Sequence, residues 1–183
     1  NYPLIFILRT KVMHNPLTIL LYHGVSSESN IGIENYSGKH INTKIFENQI
    51  SYISKNCNVL TMDEVVDIHN QGSEYPENAV AVTFDDGFRN NSTEAQPILE
   101  KYKAPATIYI TSRFLEGKCE MWWYEIKKFI DENELVNFIY NNKNYKFIIK
   151  SNKSKIKAFK QISSLFKKLK YQQQNKLLEL ITR

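Results

Sequence analysis

The sequence predicts an α/β fold built on a parallel sheet or barrel, and three observations carry the prediction. Apolar or β-branched runs at 17–23, 58–60, 79–84 and 106–111 alternate with stretches of helical periodicity. Such alternation with short connections is the mark of repeated strand–helix–strand units. The run Ala79–Phe84 is apolar or β-branched at every position, as a strand covered on both faces requires. The 183 residues, 42% hydrophobic and 23% charged, suffice for one sizeable core.

Taken in order, Leu17–His23 reads as a buried strand that stops at Gly24, and 26–43, rich in Ser, Asn and Gly, reads as a long loop. Phe46, Ile50 and Ile53 step at helical spacing behind a Thr43 cap. A short strand, Asn58–Leu60, leads to a helix opened by Thr61 or Asp63 that carries Val65, Val66 and Ile68 and stops at Gln71-Gly72-Ser73. After Pro76 comes the strand Ala79–Phe84. Ser92 or Thr93 opens the next helix, with Ile98, Leu99 and Tyr102 inward and Pro97 in its opening part, where proline does least damage. Pro105 separates it from a strand over Ala106–Thr111.

Past Gly117 the pattern changes. Trp122-Trp123 leads a helix with Ile126, Phe129 and Ile130 inside, and the helical pattern claims Trp123 for packing rather than for sugar stacking. Leu135–Tyr140 and Tyr145–Ile149 flank 141–144 as a hairpin. Ile156, Phe159, Ile162, Phe166 and Leu169 mark an amphipathic helix, and Leu177, Leu178 and Ile181 a last one. The expected division is therefore 1–117 for the α/β part and 118–183 for a hairpin-plus-helices insertion.

Composition excludes several classes. No apolar run approaches the roughly 18–20 residues that cross a bilayer. Two cysteines, Cys57 and Cys119, make neither a disulfide framework nor a metal cluster. The chain begins at Asn1 rather than Met, so a missing N-terminus is expected and the compartment, bacterial envelope or cytoplasm, stays open, as does oligomeric state. The net charge of +5 hides an asymmetry: residues 143–183 hold 12 basic residues and one acid, Glu179, while 1–142 hold 12 basic residues and 18 acids. No nucleic-acid motif accompanies the basic tail, which reads first as a solvated helix surface and second as a face for an anionic cell-surface glycan or lipid-linked sugar. Neither nucleic acid nor membrane contact is expected.

The chemistry centres on Asp85 and Asp86. In parallel α/β folds, reacting groups collect at the carboxyl ends of strands, and this pair follows Phe84 directly. Gly87 permits the turn that brings both side chains to one site. Two adjacent carboxylates stay ionised cheaply only beside a positive charge. A divalent metal supplies it, one aspartate binding the ion and the other taking a proton from water whose pKa zinc lowers to about 7. That pairing suits amide or ester hydrolysis. Asp-Asp-Gly is also common in plain turns; its strand-end position favours the site. His23 ends another strand and faces either this cleft or a structural partner. Arg89 reads as solvating the turn.

In context, Thr83-Phe84-Asp85-Asp86-Gly87 resembles the first motif of the polysaccharide deacetylases, carbohydrate esterase family four. Leu21-Tyr22-His23-Gly24-Val25, Phe46–Val59, Pro97–Tyr102 with Pro105–Ile108, and Trp122-Trp123 resemble further segments in the same order. The resemblance implies a distorted (β/α) barrel, here only in part, and a divalent metal, usually zinc. It implies removal of N- or O-acetyl groups from a carbohydrate. Asp85 would be the general base and Asp86 a metal ligand. The family completes its site with two histidines of a His-x-x-x-His motif farther along, and a later histidine commonly serves as acid. Here His14, His23, His40 and His69 all precede the aspartates and no two are four apart. The remaining ligands are therefore expected beyond Arg183, and these 183 residues alone are expected to be inactive or nearly so. The alternative is a non-catalytic deacetylase-like module that binds glycan or protein.

Overall fold

The computed structural model describes residues 8–9, 15–27, 35, 38–117 and 121–182. His14, Cys119 and half of the segment 26–43 lie outside them. The chain divides into two compact units, Asn1–Ser29 with Ser37–Thr111, and Asn30–Tyr36 with Ser112–Arg183.

The first unit is an α/β sheet. Its centre is β6 (Ala79–Phe84), buried at all six positions. β2 (Thr18–Tyr22) runs parallel to it, from Thr18↔Val80 to Tyr22↔Phe84. On the other side, β5 (Asn58–Leu60) pairs parallel with the lower half and β7 (Thr107–Ile108) with the upper end. β1 (Leu8–Arg9) lies antiparallel to β2. A second, two-stranded parallel sheet joins β3 (Gly24–Ser26) to β4 (His40–Asn42). Its second strand was expected as loop, because three residues between polar neighbours give no periodic signal.

The crossovers are helical. α1 (Thr43–Asn56) buries Phe46, Ile50 and Ile53, and its cap is Asn42, whose side chain accepts from the Lys44 amide at 3.0 Å. α2 (Met62–Asn70) starts in a capping box between Thr61 and Glu64. It buries Val65, whereas Val66 is 50% exposed, since adjacent helical residues point about 100° apart and cannot share one face. The next helix has no side-chain cap at Ser92 or Thr93. The chain enters it through a π-helical turn, Asn91–Ala95, and α3 (Gln96–Lys101) carries Pro97 in its first turn. Tyr22, Phe46 and Phe84 pack ring against ring between α1 and the sheet, with centroids 5.1–5.8 Å apart.

The expected strand 106–111 is shorter than the apolar run. β7 stops at Ile108 because β6 turns away after Phe84, and the last rung is the Tyr109 amide to the Phe84 carbonyl at 2.8 Å. Tyr109 and Ile110 then stand 48% and 53% exposed.

The second unit has its own core. α5 (Trp122–Glu132), α6 (Asn152–Phe166) and α7 (Tyr171–Thr182), preceded by the single turn α4 (Ser112–Leu115), accompany the antiparallel hairpin β8 (Leu135–Tyr140) and β9 (Lys143–Ile148). Ile126, Ile130, Phe138, Phe159, Ile162, Phe166 and Leu177 form one buried cluster, with Trp122 and Trp123 packed against it. The hairpin loop is two residues rather than four. Asn141 and Asn142 both take positive φ, 50° and 58°, the requirement of a tight turn matched to strand twist. Among the described residues, no helix is long and apolar enough to cross a membrane.

Candidate active site

The site is assembled by strand ends. The Asp85 amide donates to the Tyr22 carbonyl at 2.9 Å, which extends the β2–β6 ladder by one bond. Asp85 therefore starts its turn beside His23, the residue that leaves β2. Thr83 secures the same ladder with its hydroxyl on the Leu20 carbonyl at 3.1 Å. Asp86 and Gly87 follow with φ of 71° and 70°. A positive φ is strained for an aspartate and is found where a site needs the side chain aimed. A Cβ on Gly87 would stand 3.3 Å from Ile110, so glycine lets the turn lie tight against the segment after β7.

The Lys39 ammonium binds Asp86 Oδ2 at 3.2 Å. Lys39 is placed by the small sheet, where its carbonyl accepts from the Gly24 amide at 3.3 Å. His40 comes next. Its Nδ1 lies 2.9 Å from Asn90 Nδ2 and its ring packs edge-on against Phe88, centroids 4.9 Å apart. Glycine at position 24 is required there, because a Cβ would overlap the His40 ring and approach Asn90 Oδ1. Asn90 Oδ1 and both polar atoms of Asn91 are buried with no hydrogen-bond partner among the described residues.

His23 is held below the ordinary imidazole range, first by burial and then by Lys39; Asp86 and Asp85 pull the other way. Its field thus registers both carboxylates and the ammonium. Arg89 is exposed, as expected of a residue that solvates the turn. His69 is exposed on the last turn of α2.

The carboxylates suit a divalent cation in kind: they are adjacent oxygen donors, and one already draws a cation. They do not suit it in number. Among the described residues no three His, Cys, Asp or Glu side chains converge on a metal position, and a catalytic zinc takes three protein ligands. The sequence brought forward Asp85, Asp86 and His23. It gave no sign of Lys39 or Asn90, whose place depends on β3–β4 pairing and on the turn after β6. His40 was visible only as one of four histidines.

The polysaccharide deacetylase family model matches residues 72–177. The chain belongs to that family, and its parallel sheet with helical crossovers is the α/β arrangement expected there. YxkH of Bacillus subtilis (strain 168), which is named for the same family, is 29% identical over 113 residues, 61% of this chain and 38% of that protein. A poly-β-1,6-N-acetyl-D-glucosamine N-deacetylase of Staphylococcus aureus (strain MSSA476) is 35% identical over 97 residues, 52% of this chain and 31% of that one. Among solved structures, IcaB from Ammonifex degensii superposes with a TM-score of 0.46 at 25% identity, covering 63% of this chain and 48% of that one. The match thus spans 38% of YxkH and 31% of the staphylococcal enzyme, far short of the length of either.

Proposed function

We propose that the chain forms part of a hydrolase that deacetylates a carbohydrate polymer or glycan precursor, with Asp85 as proton acceptor and Asp86 as one carboxylate ligand of a divalent cation, zinc by preference. Further ligands would come from outside the described residues. The observation that carries the reading is the pair of carboxylates at the carboxyl end of the buried central strand, one of them already neutralised by a cation. The family match and the polysaccharide substrates named for relatives support it.

The chemistry asked of these residues is limited. Water adds to the acetyl carbonyl carbon, and its proton passes to Asp85. The C–N or ester C–O bond then breaks, the proton Asp85 holds goes to the departing nitrogen or oxygen, and acetate leaves. His23, which follows β2 beside the turn, would meet the substrate as a neutral hydrogen-bonding group.

The test is acetate release from an acetylated oligosaccharide by the full-length protein. Asp85→Asn should reduce turnover by at least 100-fold while cation binding, followed by calorimetry, largely persists. Turnover retained in that variant removes Asp85 as the base. The 183 residues alone should release little acetate, because the donor set among the described residues is incomplete. A second reading, a non-catalytic module, is favoured by one observation, that among the described residues no three donor side chains converge; absence of acetate release by full-length protein supplied with zinc would support it.

A further inference from the structure

The second unit carries a charge pattern that the proposed hydrolysis does not use. From Lys143 to Leu178 there are eleven lysines and no acidic residue. A lysine-rich composition would act along the whole chain, yet residues 1–142 hold 18 acids against 12 bases. The excess belongs to this unit.

The fold turns that excess into a row. Lys153, Lys157 and Lys160 stand at i, i+4 and i+7 of α6 and are exposed, opposite the buried Ala158, Phe159, Ile162 and Phe166. The spacing aligns three ammonium groups over about 10 Å of helix axis. Lys167, exposed at the C-cap, continues the row to about 21 Å. Lys155, at a different angle around the helix, has a carboxylate, Asp131, at 2.8 Å. Among the described residues no ion pair reaches Lys153, Lys157, Lys160 or Lys167. Like charges at these spacings repel, and a partner bearing regularly spaced negative charge relieves the repulsion.

We propose that this row binds an acidic polysaccharide, one carrying a carboxylate on its repeating sugars. The proposal rests on the reading of the chain as a polysaccharide-handling protein; the row lies inside residues 72–177, the span of the family match. Two observations favour such a polymer over other polyanions. The apolar face of α6 is consumed by the core, with Phe159, Ile162 and Phe166 at 4%, 0% and 0% exposure, so nothing apolar remains to enter a lipid headgroup layer. The face itself reads Lys, Lys, Lys and Ser164, without the aromatic side chains on which single-stranded nucleic acid stacks.

Polygalacturonate is the probe, titrated against the full-length protein at low and physiological salt. Wild type should bind it with an affinity that falls steeply as salt rises, through release of condensed counterions. The triple variant Lys153→Glu, Lys157→Glu, Lys160→Glu should bind at least tenfold more weakly and with a flatter salt dependence. The neutral counterpart with glutamine at all three positions should fall between, and Lys155→Gln should bind as wild type does. Circular dichroism confirms that each variant keeps its helices. No binding by wild type, equal binding by the triple variant, or tighter binding to duplex DNA or to phosphatidylglycerol vesicles overturns the proposal. Acetate release from a neutral acetylated oligosaccharide, measured in parallel, separates the two ideas: if it is absent while polymer binding depends on the row, the deacetylase reading fails and this one stands.

Discussion

Lys39 and His23 set the electrostatics of the turn at 85–87. Burial and the Lys39 charge lower the affinity of folded His23 for a proton, against the pull of Asp86 and Asp85. The unfolded chain therefore binds that proton more readily. Above about pH 6.5, the ordinary imidazole value, the difference costs nothing. As pH falls below it, the unfolded state gains protons first and stability declines. His23→Gln should consequently lose less stability than wild type between pH 7.5 and pH 5.5, read as the shift in urea midpoint; equal slopes would show that the imidazole is not held neutral by folding. At this scale the sequence announced what lies within the strand-end motif and little else. Asp85 and Asp86 are legible because a buried strand must end somewhere and carboxylates there need a reason. Lys39 is not, because its partner sits 47 residues away, with α1, β5, α2 and β6 between them.

Among the elements, the hairpin shows how backbone sign governs a turn. Asn141 and Asn142 hold φ of 50° and 58°, where asparagine is tolerated and β-branched residues are not. Asn142→Val should destabilise the second unit by about 1–2 kcal/mol, and Asn142→Gly should be neutral or slightly stabilising; thermal melts of the two variants check this. The hairpin was legible from its flanking apolar runs, but its loop length was not, since Lys143 and Asn144 look like turn residues while serving as the first rungs of β9. The run 106–111 erred in the opposite direction: its residues favour a strand, and the ladder lacked partners after Phe84. α6 was the most readable, because Ile156 to Leu169 repeats its apolar face over more than three turns, while α1, α5 and α7 repeat theirs at i, i+3 or i+4 over shorter spans.

For the molecule as a whole, the second unit's own core gives a simple spectroscopic handle. The only tryptophans are Trp122 and Trp123, and both pack on the core of the second unit. Trp122 stacks on Phe166 with centroids 4.5 Å apart. Phe166→Ala removes a fully buried ring, a loss of about 3–5 kcal/mol. The tryptophan emission transition should move down by roughly 1–3 M urea; an unmoved transition would mean that Phe166 does not hold this core together. In the first unit the corresponding role falls to β6, enclosed at every position and bonded to β2 on one side and to β5 and β7 in succession on the other. In heavy water its amides should be the slowest to trade hydrogen for deuterium in that unit, so a peptide spanning this strand ought to stay light in the mass spectrometer after its neighbours have grown heavy.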